Sequence, residues 1–194
     1  MKKVSELKNL LEQNKKKEKI KKEKVDVKWI ITIVIIAFII SFGLSFVANS
    51  TIPNLSLIFG VIITLLFIFI GILFDIVGVA VTTADEAVFH SMNSRKVKGA
   101  NVAVKFKKNA DKTSSFCCDV IGDICGVISG AAGTTICAIL VSKYHTDLLL
   151  TGLVITAIIS SLTIGGKAIG KSFAINKSDI ILYEFAKIVS NFYK

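Results

Sequence analysis

Residues 55–82 read LSLIFGVIITLLFIFIGILFDIVGVAVT, an apolar run in which Asp75 is the only charged side chain. A helix needs about 20 consecutive apolar residues to cross a hydrocarbon layer roughly 30 Å thick, so this run is long enough to span a membrane. Three other runs have a similar composition, and they cover Trp29–Ala48, about Phe116–Val141, and Leu148 to about Ile169. The sequence therefore predicts an all-α integral membrane protein with four transmembrane helices.

The composition excludes other broad classes. The chain has 194 residues, of which 53% are hydrophobic and 20% charged, and its mean hydropathy is +0.68. A water-soluble enzyme or secreted domain of this size is far more polar. The sequence also contains no Gly-rich phosphate loop, no Ser–His–Asp set and no zinc-protease helix. We expect one membrane domain without enzymatic activity.

The distribution of basic residues predicts the orientation. Residues 1–28 hold eleven lysines, residues 91–113 hold seven Lys or Arg, and residues 167–194 hold five, whereas the other two connections hold none and one. Cytoplasmic segments carry the excess of Lys and Arg in membrane proteins. Both termini are therefore expected in the cytoplasm, with the chain as a multi-pass protein of the cytoplasmic (plasma) membrane.

Three segments follow from these patterns: a basic cytoplasmic tail (1–28), a four-helix membrane domain (29–175) and a juxtamembrane amphipathic helix (176–194). The tail opens with apolar residues at helical spacing, namely Val4, Leu7, Leu10 and Leu11. The last segment follows an N-cap at Ser178 and aligns Ile181, Phe185, Ile188 and Phe192 on one face, typical of a helix lying on the inner leaflet or on a neighbouring subunit. A shorter helical piece is predicted near Val97–Ala110.

The basic tail favours a lipid partner. Juxtamembrane lysines are attracted to an anionic inner leaflet by about 1 kcal/mol each. Nucleic-acid binding is not expected, because no aromatic residues interleave with the lysines of KKKEKIKKEK as stacking platforms for bases.

Acidic residues inside the predicted spans are the candidate functional groups. Asp75, Asp119 and Asp123 lie in the second and third spans, where a carboxylate costs several kcal/mol and usually faces the protein interior. Asp75 and Asp123 each lie about 10 Å from the cytoplasmic boundary, at roughly 1.5 Å per residue, and are therefore level. Thr82 and Glu86 share the helical face of Asp75. Such oxygen ligands suit Mg²⁺, Ca²⁺, Na⁺ or H⁺. The alternative is internal ion pairing with Lys167 and Lys171.

Small residues in the same spans predict close packing. Gly122, Gly126 and Gly130 repeat every four residues, which favours a close helix contact within the bundle or across a dimer. Gly71 and Gly78 flank Asp75 and predict tilt, a local break or a π-bulge there. All four cysteines belong to the third span and are expected as small buried residues. A soft-metal site built from Cys118, Cys125 and Asp123 is the alternative for them.

Three segments of the chain, in this order, resemble a known family. They are DEAVFHSMNSRKVKGANVAVKFKKNADK (85–112), VIGDICGVI (120–128) and LTIGGKAIGKSFAINKSDIILYEFAKIV (162–189). In order and approximate spacing they resemble the membrane domain of the CNNM/CorC (CorB) magnesium transporters. That family carries Ser-Glu-Thr-Ala-like, Ile-Gly-Asn-Asn and Gly-Glu-Ile-x-Pro-Lys motifs at these places.

The resemblance implies Mg²⁺ transport by a homodimer. It places Asp85 and Glu86 on the Ser-Glu pair, and Asp123 on the Gly-Asn pair. The chain departs from the family pattern at three positions. Lys167 stands in place of an acidic residue tied to cation handling, Gly170 in place of the proline, and Asp123 in place of an amide. The chain also lacks the paired nucleotide-binding cystathionine-synthase-like modules of full-length members, so no nucleotide control through them is expected.

Two functions follow from these observations. The first is a transporter of divalent cations, with Mg²⁺ as the expected ion and ligand oxygens from Asp75, Asp85, Glu86, Asp119, Asp123 and Thr82. The second is a non-transporting membrane scaffold or regulatory subunit whose acids are paired with Lys167 and Lys171. The position of the Lys167 ammonium discriminates between the two.

Overall fold

The computed structural model describes residues 27–51 and 56–192, and these residues are helical apart from short turns. In chain order the helices are α1 (Val27–Thr51), α2 (Leu57–Thr83), α3 (Glu86–Ser94), α4 (Ala100–Lys108), α5 (Ala110–Ser115), a π-helix (Phe116–Gly122), α6 (Asp123–Tyr144), α7 (Leu148–Asn176) and α8 (Ser178–Phe192). The all-α fold class is confirmed for this part of the chain. The amphipathic start predicted around Val4–Leu11 lies outside the described residues.

Four stretches are long and apolar enough to cross a membrane: Val27–Ala48, Leu57–Thr83, Ala110–Tyr144 and Leu148–Asn176. Each overlaps one of the four predicted spans. The third begins earlier than predicted because α5 continues through the π-helix into α6 without a break. The fourth runs past Ile169, since none of its last residues is a helix breaker such as proline.

The chain divides into two units, Met1–Val34 and Ile35–Lys194. Of the first unit the structure describes the opening turns of α1, where the Thr32 hydroxyl donates to the Lys28 carbonyl at 2.8 Å. The second unit contains the rest of α1 and all the later helices. In this part of α1, Phe38 and Phe42 stack with ring centroids 6.2 Å apart.

Helix α2 is the element on which the second unit assembles, because α5, the π-helix, α6, α7 and α8 all pack against it. Its buried residues recur at intervals of three or four along much of its length: Gly60, Thr64, Ile68, Gly71, Asp75 and Gly78. Glycines on such a stripe allow neighbouring backbones to approach closely. The sequence pattern of α2 therefore explains why it is central.

A tight reversal joins α6 to α7. His145 adopts a left-handed conformation (φ 51°), and its N–H donates to the Val141 carbonyl at 2.9 Å, which ends α6. The Asp147 carboxylate then accepts hydrogen bonds from the N–H groups of Leu149 and Leu150 and begins α7. This turn allows α6 and α7 to pack side by side.

A cluster of buried apolar residues lies at the C-terminal end of α2. We call it the α3–α4–α8 cluster, and its buried members are Val81, Ala84, Phe89, Ala103, Val104, Leu182 and Ala186. Helix α8 packs on α2 and α4 of its own chain, with Leu182 and Ala186 at the centre of the contact. The predicted apolar face of α8, with Ile181, Phe185 and Ile188, is therefore divided, and its contact with the inner leaflet or a neighbouring subunit stays a prediction. Phe185 contacts Phe106, whereas Ile188 points outward.

Gly99 permits α4 to approach α8. Its φ is +87°, a left-handed conformation that favours glycine. A Cβ at this position would also lie 2.9 Å from the Cα of Lys187, so a larger residue would push α8 away. Both constraints fall on one residue, at the N-cap of α4.

We predict that Leu182→Ala destabilises the protein, because it removes a fully buried side chain from the α3–α4–α8 cluster. The expected loss is about 2–5 kcal/mol of the free energy of unfolding. Ile180→Ala, on the exposed side of the same helix, is the matched control and should change the melting temperature little. Thermal unfolding in detergent measures both. Equal melting temperatures for the two variants would contradict this packing.

Candidate functional site

The ammonium group of Lys167 lies between two carboxylates. Its Nζ donates to Asp123 Oδ1 at 3.5 Å and lies 4.0 Å from Asp75 Oδ1. The exposed fraction of the side chain is 8% for Asp75, 23% for Lys167 and 70% for Asp123. The two acids that the sequence places at equal depth therefore share one lysine from α7. We call these three residues the Lys167 triad.

Two glycines seat Lys167 against α2. A Cβ at Gly170 would lie 2.7 Å from Ile76 Cγ1, and a Cβ at Gly166 would collide with Ile72 Cδ1. Since Gly166 and Gly170 are four residues apart, they form one flat strip of α7. The strip lets the isoleucines of α2 fit closely and brings Lys167 within reach of Asp75.

The third span approaches α2 at a second pair of glycines. A Cβ at Gly71 would lie 3.4 Å from the Gly122 carbonyl oxygen, and one at Gly122 would lie 3.7 Å from the Gly71 carbonyl oxygen. Gly122 ends the π-helix, while α2 stays α-helical through Asp75. The prediction of a break or π-bulge in the second span is therefore wrong in location, because the π-helix lies in the span that faces Asp75.

The cysteines fill the space along the glycines of α2. Cys125 Cβ lies 3.1 Å from the Cβ position of Gly71, and Cys118 Sγ packs against Gly78. Cys118 also donates a weak hydrogen bond to the main-chain carbonyl of Asp75, at 3.7 Å. These contacts are those of small packing residues.

The other predicted site residues make separate contacts. Asp85 caps α3 by accepting from the Ala87 N–H at 3.0 Å, and Glu86 pairs with His90 at 3.1 Å. The Thr82 hydroxyl donates to the Val79 carbonyl, and Asp119 is exposed on the π-helix. Of the six predicted residues, only Asp75 and Asp123 meet at a common group.

The triad is arranged for internal charge compensation. Among residues 27–51 and 56–192, no group of three or more His, Cys, Asp or Glu side chains could hold a metal ion. This applies to the predicted oxygen set and to the alternative of Cys118, Cys125 and Asp123. The ammonium offsets one of the two carboxylate charges, so the triad carries a net charge of −1 when all three groups are ionised.

The glycine repeat of the third span is divided between two environments. Gly122 contacts α2, but a Cβ at Gly126 or Gly130 would meet no other described atom within 4 Å beyond its own helix. The predicted close contact inside the bundle is therefore absent at these two glycines within the described chain. The alternative contact, across a dimer, stays a prediction.

Two contacts of this region did not follow from the sequence reasoning. The Lys107 ammonium donates to the carbonyls of Val81 and Thr82, at 3.2 and 2.8 Å, at the last turn of α2. Asp179 of α8 accepts from the Asp85 N–H at 2.9 Å. The i, i+4 spacing of Gly166 and Gly170 was a usable packing signal, whereas no local pattern predicts the partners of Lys107 and Asp179.

The chain matches no protein-family model, no curated protein and no solved structure. The contacts of the described residues are therefore the basis for inferring its function.

We predict that Lys167→Met destabilises the protein, because it leaves the buried Asp75 carboxylate without its cation. Breaking one partner of a buried pair costs about 3–5 kcal/mol. Thermal unfolding in detergent should show a large drop for this variant and little change for Lys177→Met at the exposed end of α7.

The double variant Asp75→Asn/Lys167→Met separates the ion pair from simple packing. It should recover part of the lost stability, because both charges are then removed. If the double variant is no more stable than Lys167→Met alone, the charge interaction between the two residues is refuted.

Proposed function

We propose that this chain is a multi-pass membrane protein that acts as a non-transporting scaffold or regulatory subunit. The observation that carries the proposal is the Lys167 ammonium, which lies between Asp75 and Asp123 where a bound cation would otherwise balance them. In this role the acids hold the helices in register rather than pass an ion. The proposal assigns no enzymatic step to the chain.

The proposed placement uses all four apolar helices as transmembrane spans. The basic residues around α3, α4 and α5 then face the cytoplasm, together with both termini, as the bias of Lys and Arg requires. The cytoplasmic membrane with its anionic inner leaflet is the proposed location. The α3–α4–α8 cluster would lie on the cytoplasmic side, where a partner protein can reach the exposed outer face of α8 at Ile180 and Ile188.

Electrostatics support internal pairing over Mg²⁺ binding. Mg²⁺ requires near-octahedral oxygen ligands at about 2.0–2.1 Å and often keeps several waters. At Asp75 and Asp123 an ammonium occupies the space, and a divalent ion beside it would be strongly repelled. Binding of Mg²⁺ would therefore require Lys167 to leave Asp75, which would give up the buried pair.

The second candidate is transport of divalent cations, and one observation favours it. Asp123 is 70% exposed although it also pairs with Lys167, so one carboxylate of the triad is accessible from outside the bundle. The net negative charge of the triad would attract a cation to that point. The resemblance to the CNNM/CorC family, with its Mg²⁺ substrate and homodimer, belongs to this candidate and stays a prediction.

Titration with Mg²⁺ separates the two candidates. The proposal predicts an unchanged melting temperature for the wild-type chain, because Lys167 already fills the site. A metal that binds only the folded protein would raise stability by RT ln(1 + [L]/Kd). In Lys167→Gln the two carboxylates lose their ammonium, so Mg²⁺ should now raise the melting temperature, and Asp123→Asn added to that variant should abolish the rise.

A rise with Mg²⁺ in the wild-type chain that Asp123→Asn removes would overturn the scaffold in favour of the transporter. Uptake of Mg²⁺ into proteoliposomes then gives the direct measurement. Urea-insensitive retention in the membrane fraction is the accompanying check that the wild-type chain and its variants are inserted.

Labelling of single cysteines tests the proposed topology. In intact cells a cysteine at Lys98, next to α4, should not react with an impermeant maleimide, because the six other basic residues of 91–113 hold this segment inside. A cysteine at Thr146, in the exposed turn between α6 and α7, should react. The reverse pattern would refute the orientation while leaving the Lys167 triad intact.

A further inference from the structure

The segment that joins α3 to α5 carries a concentration of positive charge. Residues 95–110 read RKVKGANVAVKFKKNA, with six Lys or Arg and no Asp or Glu. Five of the six basic side chains are exposed, namely Arg95, Lys96, Lys98, Lys105 and Lys108. We call these five residues the α4 basic surface. Since α4 is only about 14 Å long at 1.5 Å per residue, the five charges lie close together.

The charges of this surface have no internal counter-charge. Among residues 27–51 and 56–192, no Asp or Glu forms an ion pair with any of the five side chains. The same structure does pair an exposed lysine elsewhere, since Lys187 lies 3.5 Å from Glu184 on α8. Like charges held close together repel, and an acidic partner would relieve that repulsion.

Helix α4 lies beyond the end of α2. The third span runs antiparallel to α2, and the Ser114 carbonyl oxygen lies 3.2 Å from the Cβ position of Gly78. From this level, α2 continues for five residues to Thr83, whereas α4 ends at Lys108, six residues before Ser114. At about 1.5 Å per residue, α4 therefore lies level with the last turn of α2 or further out.

Lys107 shows which side of α4 faces the spans. Its ammonium donates to the carbonyls of Val81 and Thr82, which are free acceptors at the end of α2. Lys105 precedes Lys107 by two residues, about 200° around the helix axis, and so projects in nearly the opposite direction. In the proposed membrane placement, the side of α4 that carries Lys105 therefore faces the cytoplasm and not the lipid headgroups.

The neighbourhood of the α4 basic surface offers neither apolar anchors nor free aromatic rings. No large apolar side chain is exposed between residues 74 and 126, all of which the structure describes. Protein interfaces that bind through hot spots use such anchors. Phe106 packs its ring on Phe185, with centroids 5.7 Å apart, and is not available to stack on nucleic-acid bases. The surface can therefore bind through charge alone.

We propose that the α4 basic surface binds an acidic segment of a partner protein in the cytoplasm. Complementary charge steers such an encounter and fixes its orientation. The Arg95 guanidinium can hold a carboxylate through two hydrogen bonds, while the lysines pair singly on flexible stems. The proposal rests on the membrane placement above, and it names the class of partner for the proposed scaffold or regulatory subunit.

A segment bound at this surface would be attached to a fixed element. The inner side of α4 contributes Ala103 and Val104 to the α3–α4–α8 cluster, and Lys107 joins α4 to α2. The exposed lysines take no part in this packing. Their substitution therefore changes the charge of the surface without changing the core beneath it.

Fluorescence anisotropy of a labelled Glu-Ser repeat peptide, mixed with the full chain in mild uncharged detergent, tests the proposal. The wild-type chain should bind this peptide and not its Gln-Ser counterpart. The affinity should fall several-fold when salt is raised, because exposed charges are screened over about 8 Å at physiological ionic strength. Lys105→Gln/Lys108→Gln should weaken binding several-fold at an unchanged melting temperature, whereas Lys105→Arg/Lys108→Arg should bind as the wild type does.

Lys143→Gln/Lys177→Gln is the matched control, because it removes two exposed lysines outside the α4 basic surface and leaves the same net charge. It should bind the peptide as tightly as the wild-type chain. No binding by the wild-type chain, or equal losses in the two Gln double variants, would overturn the proposal. A rise of the melting temperature with Mg²⁺ would instead overturn the scaffold and leave peptide binding unaffected, so the two proposals fail separately.

Two further measurements test the class of partner. A polyuridine RNA that displaces the labelled peptide at lower concentration than the unlabelled peptide does would overturn the proposal in favour of nucleic acid. A fluorophore on Asn101→Cys, an exposed position one turn from Lys105, tests the lipid alternative in nanodiscs that contain phosphatidylglycerol. Aqueous iodide should quench it, and quenching by lipids with a headgroup nitroxide would overturn the proposal in favour of the membrane surface.

Discussion

A lysine ammonium held between two carboxylates is the interaction on which the arrangement of the spans depends. The Asp75 carboxylate alone would be costly inside an apolar bundle, and removal of Lys167 would leave it buried without a cation. The triad joins α2, α6 and α7, so it fixes their relative depth. A slide of α7 by one helical turn, about 5.4 Å, would separate Lys167 from both acids. Gly166 and Gly170 permit the contact, and the charges select its register.

Helix α2 connects this ion pair to the helices beyond its end. Asp75 lies in its buried stripe, and the neighbouring Phe74 makes an edge contact with Phe185 of α8, with ring centroids 6.5 Å apart. Two turns further on, Lys107 donates to the free carbonyls of the last turn of α2, where a cation is favoured by the helix dipole. The α3–α4–α8 cluster is therefore anchored to the same helix that carries the buried acid. The packing of this cluster and the charges of the triad are therefore linked through one continuous helix.

The sequence allowed prediction of what depends on composition and periodicity. The four apolar helices are found at their predicted places, and simple counting along the helices brings Asp75 and Asp123 to one level. The features that were missed depend on contacts between distant segments. The π-helix formed opposite Asp75 and not beside it, because glycines at 71 and 78 accommodate the third span without distorting α2. The apolar face of α8 indicated burial, but its spacing alone does not distinguish a lipid surface from the α4 helix of the same chain. Gly126 and Gly122 belong to one repeat, yet only the fold reveals that one is covered and the other open.

The two sides of the third span carry different kinds of residues, and the difference follows from what surrounds each side. Its buried residues include Ile124, Cys125 and Ile128, and Cys125 packs against Gly71 of α2. On another side it carries Asp123, Gly126 and Gly130, which lie beside the hydroxyl residues Thr156 and Ser160 of α7. Lipid chains gain nothing from glycine or carboxylate, because neither offers apolar area and the charge loses its hydration. In the proposed membrane placement, the phenylalanines and leucines exposed on α1 and α2 suit contact with lipid, whereas this side of the third span does not. The uneven distribution of residue size and charge therefore separates the α6–α7 side of the bundle from the apolar outer surfaces of α1 and α2.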